Sequence, residues 1–284
     1  MIGLLDYEFM RLALVAALFT GVAAPAIGIF LVQRRLALLG DGLGHVALTG
    51  VALGILTGTT PVLTALVIAA LGATLIEVLR IYTRTSADLA LAMLFYGGIA
   101  GGVFLINLAG ESPAALNQFL FGAITTVDRF EVGIVAVLGV VVVTTSLLLG
   151  PQLFALCQDE EHARVSGVPV RLYGLLLAVM AALTITVAMR TVGLLLVSAL
   201  MVVPVAAAQQ LTRSFRGTHL LAMVVGVASA LGGVVLSYEA NVQPGPAIVL
   251  LTLAVFAVAA VGRVVVGRAV KGWGVRETRR VPSG

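Results

Sequence analysis

Apolar runs about as long as a bilayer is thick follow one another from near residue 9 to near residue 265, separated by short polar clusters. A membrane-crossing helix needs ~17–25 such residues, and the pattern predicts spans near 9–33, 37–57, 60–82, 87–108, 129–149, 170–189, 192–211, 218–237 and 245–265. The expected fold is all-α: a polytopic transmembrane helical bundle of about nine spans, with eight to ten left open by the boundaries. The stretch 109–128 is too polar at its start to cross and is expected to form a broken or re-entrant helix. Glycines recur at four-residue spacing, Gly40 with Gly44, Gly50 with Gly54, Gly97 with Gly101 and Gly98 with Gly102. In lipid such positions let helix backbones approach closely, so they predict packing faces.

Composition agrees. Hydrophobic residues make up 60% of the 284 and charged residues 11%, against roughly 25% charged in soluble domains. The spans leave no room for a separate soluble domain, so residues 1–284 are expected to form a single transmembrane domain. The net charge of +4 sits in short clusters between apolar runs, which reports orientation and excludes a nucleic-acid surface. With the N-terminus outside, all of the 17 basic residues except Arg11, Arg129 and Arg190 fall on the inner side. That asymmetry predicts a cytoplasmic tail over about 266–284. One cysteine, Cys157, excludes an intrachain disulfide and a cysteine-rich zinc site. No basic residue precedes Arg11, so the N-terminus lacks the charged region of a cleavable signal and is expected to stay in the chain.

Two places carry candidate chemistry. Asp41 and His45 lie inside the second apolar run, four residues apart. On a helix that is about 40° of rotation and ~6 Å of rise, so both reach one cation. Ionisable groups within a span cost at least ~2.5–3.5 kcal/mol each on insertion scales and usually face a bundle interior or a wet path. The pair reads either as metal ligands on such a path or as two groups satisfying each other near a helix start. The second place is the polar insertion 150–171. There Asp159 is placed to cap a short helix over about 159–168, Glu160 and Glu161 suit its first turn, Arg164 follows, and Gly167 with Pro169 ends it. Elsewhere Asp88 reads as a first-turn acid, Glu77 with Arg80 as an ion pair, and His162 and His219 as surface histidines. Glu111, Asp128, Arg129, Glu131, Arg190 and Glu239 are expected on the outer side. There is no GxxxxGK[ST] phosphate loop and no HExxH, so the chain is not expected to hydrolyse ATP or to be a metallohydrolase.

The runs RRLALLGDGLGHVALTGVALG, DEEHARVSGVPVRLYGLLL and TVGLLLVSALMVVPVAAAQQL, with QPGPAIVLLTLAVFAVA near the end, together resemble the permease subunits of bacterial ABC importers for zinc or manganese, from about residue 10 to 265. The resemblance implies a type II importer-like permease in the bacterial inner membrane. It implies a homodimer, paired with two copies of a cytoplasmic ATP-binding subunit and fed by a metal-binding protein outside. It gives Asp159, Glu160, Glu161, Arg164 and Gly167 the role of an ATPase-coupling helix. It makes Asp41 and His45 the metal-site candidates, with the ion as cargo and no permanent cofactor. Two copies of the pair would offer four ligands, which suits tetrahedral zinc, with manganese accepted in a larger shell. The family more often has serine at Gly44 and proline at Thr49, which leaves the geometry of that helix open. A proton-coupled carrier using Asp41 and His45 as a relay, with no ATPase partner, is the alternative.

Overall fold

The computed structural model describes residues 6–82, 87–110, 113–123, 128–189 and 191–277. In chain order the helices are α1 (Glu8–Gln33), α2 (Leu39–Thr57), α3 (Pro61–Tyr82), α4 (Ala87–Leu108), α5 (Pro113–Phe121), α6 (Arg129–Leu148), α7 (Gly150–Gln158), α8 (Glu160–Val165), α9 (Val170–Ala188), α10 (Val197–Leu211), α11 (Phe215–Ala240) and α12 (Pro244–Glu277). Among the described residues eight helices are long and apolar enough to cross a membrane: α1, α2, α3, α4, α6, α9, α11 and α12.

The bundle is built around α1. Its Ala13, Ala16, Ala17, Ala23, Ala24 and Ala26 are fully buried, as are Ile27 and Phe30. Alanine lets neighbouring helices close on the axis, and α6, α9, α10 and α11 all pack on α1. At Gly28 a Cβ would lie 1.8 Å from the Met201 carbonyl, so α10 crosses α1 in backbone contact. The second centre is α2, held between α3, α4 and the start of α10. Its glycines divide the work: Gly50 and Gly54 meet α3 at Thr64, Ala65 and Pro61, while Gly40 and Gly44 meet Ser198 and Leu194. On α4, a Cβ at Gly98 would stand 2.5 Å from the His45 backbone, and one at Gly97 would meet nothing. The four-residue glycine spacing thus marks packing faces, as expected, except at Gly97.

Three elements depart from the expected spans. The seventh, expected over 192–211, begins as a helix only at Val197 and runs 15 residues. Gly193 has φ +86°, where a side chain would be strained, and a Cβ there would meet the Leu120 carbonyl at 2.3 Å. The turn segment before α10 therefore packs against α5, with Leu194 N–H donating to the Phe119 carbonyl at 2.8 Å and Leu195 N–H to the Leu120 carbonyl at 3.2 Å. Secondly, α7 precedes the expected short helix, which itself forms as α8. Thirdly, α12 runs through the expected boundary at 265 to Glu277. The polar stretch near 109–128 contains α5, nine residues long and too short to cross.

Candidate metal path and coupling end

Along α2, Asp41, His45 and Thr49 are half-buried while the residues between them are buried, which makes a stripe of one residue per turn. The pattern follows from geometry: Gly40 and Gly44 turn toward α10, and Leu43 and Ala47 into the core. At its Asp41 end the stripe borders a cavity of about 280 Å³ lined by Leu38, Asp41, Leu91, Ala92, Phe95 and Tyr96. Each polar member has its own support. Ser198 Oγ, in the first turn of α10, donates to Asp41 Oδ1. The His45 ring stands edge-on to Phe95 of α4, centroids 4.3 Å apart. Thr49 Oγ1 donates to the Gly98 carbonyl at 2.8 Å. The carboxylate of Asp41 is thus bonded to Ser198 and the His45 ring rests on Phe95, and both residues lie half-buried on the same strip of α2. Among the described residues no three His, Cys, Asp or Glu side chains lie close enough together to hold a metal ion. One chain offers Asp41 and His45 as strong donors, and a fuller shell needs donors from elsewhere.

Against the corner where α1 gives way to α2, α8 forms as its residues dictate. Asp159 Oδ1 accepts from the Glu161 and His162 N–H groups at 2.9 and 3.0 Å, satisfying first-turn donors. Gly167, at φ +83°, ends the helix, with Val168 N–H donating to the Ala163 carbonyl at 3.0 Å. Glu161, His162 and Arg164 are exposed, and Val165 stands 88% exposed at the tip. The helix is anchored to the bundle by Glu160, whose Oε2 lies 3.2 Å from Nη2 of Arg34; the Arg34 side chain is 8% exposed. Arg164 adds a longer contact to Glu160 at 3.8 Å. A polar cleft of about 500 Å³ runs between Gln33–Leu36 and Leu156–Glu160. In it Cys157 Sγ faces the Phe30 carbonyl at 3.6 Å. Burial pushes the Cys157 thiol up to about 11, against a smaller lowering by Arg34.

The remaining sequence-singled residues fall as follows. His162 is exposed, as expected, but His219 is a buried residue, 5% exposed. It lies between Phe30 and Phe215, with Nε2 3.2 Å from Ser146 Oγ, which itself donates to the Ala26 carbonyl at 2.8 Å. The surface reading of His219 failed because its partners lie on α1 and α6. Glu77 is buried beside Gly174, where the space left by the absent side chain holds its carboxylate near Arg34. The side chains of Arg80 and Asp88, and residues Glu111 and Arg190, lie outside what the structure describes. Asp128 caps α6, and Arg129 pairs with Glu8 at 2.5 Å. Ser198, Arg34 and Val165 were not singled out by the sequence. Only the serine gave a hint, being a polar residue in an apolar run.

Comparison with known proteins gives a consistent picture. The model of the ABC 3 transport family matches residues 6–263. The chain is 35% identical over 252 residues to a probable metal transport system membrane protein of Treponema pallidum (strain Nichols), covering 89% of this chain and 94% of that one. It is 30% identical over 256 residues to the manganese import system permease protein ScaB of Streptococcus gordonii, covering 90% and 92%. Among solved structures, PsaBC from Streptococcus pneumoniae in complex with Fab aligns with a TM-score of 0.82 at 30% identity, covering 90% of this chain and 92% of that one.

Proposed function

The chain belongs to the ABC 3 transport family and is the membrane permease of an ABC metal importer, and from that premise we propose that a divalent transition metal crosses along the α2 stripe, bound in passing by Asp41 and His45. The observation that carries this reading is the half-buried Asp41–His45–Thr49 line in the buried stretch of α2 from Leu39 to Ala52, with Asp41 lining a cavity. A carboxylate offsets part of the ion's charge, and an imidazole supplies a neutral donor. Two donors hold an ion weakly, so a second copy of the chain, related by a two-fold axis, completes the shell with its own pair. The ion is zinc or manganese: carboxylate and imidazole suit both, and the Streptococcus gordonii relative carries manganese in its name.

In this reading α8 meets a cytoplasmic ATP-binding subunit, one per permease. Its exposed Glu161, His162 and Arg164 give polar contacts, and the apolar Val165 fills a partner's pocket. The end carrying α5 faces a metal-binding protein outside; with the apolar stretch of α10 as a ninth crossing beside the eight longer helices, the N-terminus lies outside and the tail inside a bacterial inner membrane. The proton-coupled carrier gains nothing from the relatives. Reconstituted permease with its ATP-binding subunit should take up manganese or zinc only when ATP is present. Uptake by permease alone, driven by a proton gradient, would overturn the assignment.

A further inference from the structure

Asp41 and His45 are neighbours on one helix, yet each is held by a different one. The imidazole rests against Phe95 of α4, and the carboxylate takes the hydroxyl of Ser198 from α10. Ser198 lies in the first turn of α10, where no side chain caps the helix; its bond goes instead across to a residue 157 positions away. The contact is tightly built. A Cβ at Gly40 would lie 3.0 Å from Ser198 Cβ, and one at Gly44 would lie 2.9 Å from the Leu194 carbonyl, so α10 begins flush against the face of α2 that carries Asp41. The segment leading into α10 is itself tied to α5 through Leu194 and Leu195. The carboxylate is thus bonded to an element fixed by the broken segment at the α5 end, not to its own helix.

We propose that Ser198 is a positioning and specificity-determining residue for the transported ion, an inference that rests on the reading of Asp41 as a metal ligand. By donating to Oδ1 the hydroxyl fixes the carboxylate's orientation and leaves Oδ2 to the metal. One-oxygen binding has two consequences. It keeps the ion's hold loose enough for release, as passage through a binding site requires. It also sets the donor geometry by which one divalent ion is favoured over another. Removing the hydroxyl frees both oxygens to chelate and lets the carboxylate rotate, so rate and metal preference change together. Replacing it by a thiol puts a soft donor beside the site.

The test is uptake of manganese, zinc and cadmium by assembled permease–ATPase complex carrying Ser198→Ala or Ser198→Cys, with Asp41→Ala alongside. Alanine is smaller than serine and meets no new neighbour. Loss of an outer-shell hydrogen bond to a ligand typically costs 10–100-fold in affinity or activity. Ser198→Ala should therefore lower uptake by at least tenfold and alter the manganese-to-zinc ratio, and Ser198→Cys should shift preference toward zinc and cadmium. A serine that only packs against Gly40 would leave the ratio unchanged in both variants. An unchanged ratio in both overturns the inference, including where Ser198→Ala fails to assemble and Ser198→Cys assembles with the original ratio. If Asp41→Ala abolishes uptake while both serine variants behave as the parent, only the role of Ser198 falls. If Asp41→Ala transports normally, the metal-path reading falls with it.

Discussion

Single residues carry the chemistry, and Cys157 gives a direct probe of the cleft beside α8. Its thiol is raised to about 11 by burial, and only the thiolate reacts with maleimide. Between pH 7 and 9 the thiolate is a small fraction that grows about tenfold per pH unit. Alkylation in the assembled protein should therefore climb steadily across that range with no plateau. A plateau near pH 8.5 would mean an exposed thiol and an open cleft. Residues whose role is set by near neighbours were legible before the structure: Asp159 as a cap, Gly167 as a left-handed stop, Asp41 and His45 as one face of a helix. Those set by distant neighbours were not. His219 is buried by Phe30 of α1 and Ser146 of α6, and Ser198 reaches Asp41 across 157 positions. Periodicity within one helix holds no signal for such contacts.

Among the elements, α8 is small and its ends decide whether it forms. A Cβ at Gly167 would meet nothing within 4 Å, so Gly167→Val acts only through backbone strain at φ +83°. For a β-branched residue that is on the order of 1–2 kcal/mol or more, enough to unwind a six-residue helix. Binding of the ATP-binding subunit should fall at least several-fold, measured by co-purification, while membrane insertion is unchanged. Normal binding and transport in Gly167→Val would remove α8 from the docking surface. The pair of Arg34 with Glu160 ties α8 to the corner between α1 and α2, shortly ahead of Asp41 in chain order. Because Glu160 is 42% exposed, its share of stability is small, roughly 1 kcal/mol or less after solvent screening. The sequence pattern located α8 but not α7, which fell within the polar insertion 150–171 and starts at Gly150 with Pro151 in its first turn, where Pro is permitted.

At the scale of the whole molecule, the apolar run lengths were enough to place eight membrane helices. They missed the start of α10, where an unbroken apolar run hides the turn at Gly193, since composition does not report a backbone angle. The proposed orientation rests on the basic residues, with the α10 stretch as a ninth crossing. In a Cys157→Ala background, Val242→Cys should react with an impermeant thiol reagent in intact cells and Pro282→Cys should not; the reverse would invert the topology. The central claim is that two permeases bring their Asp41 and His45 pairs to one ion. Asp41→Ala removes both carboxylates at once, and a divalent ion then meets only neutral donors in a poorly solvated site, where uncompensated charge costs several kcal/mol. His45→Ala keeps the charge and loses two nitrogens, so transport should persist at a reduced rate. The decisive measurement is ATP-dependent metal uptake per assembled complex in Asp41→Ala. The account predicts loss of at least a hundredfold with assembly intact; uptake at the parent's rate from assembled Asp41→Ala complex would contradict it.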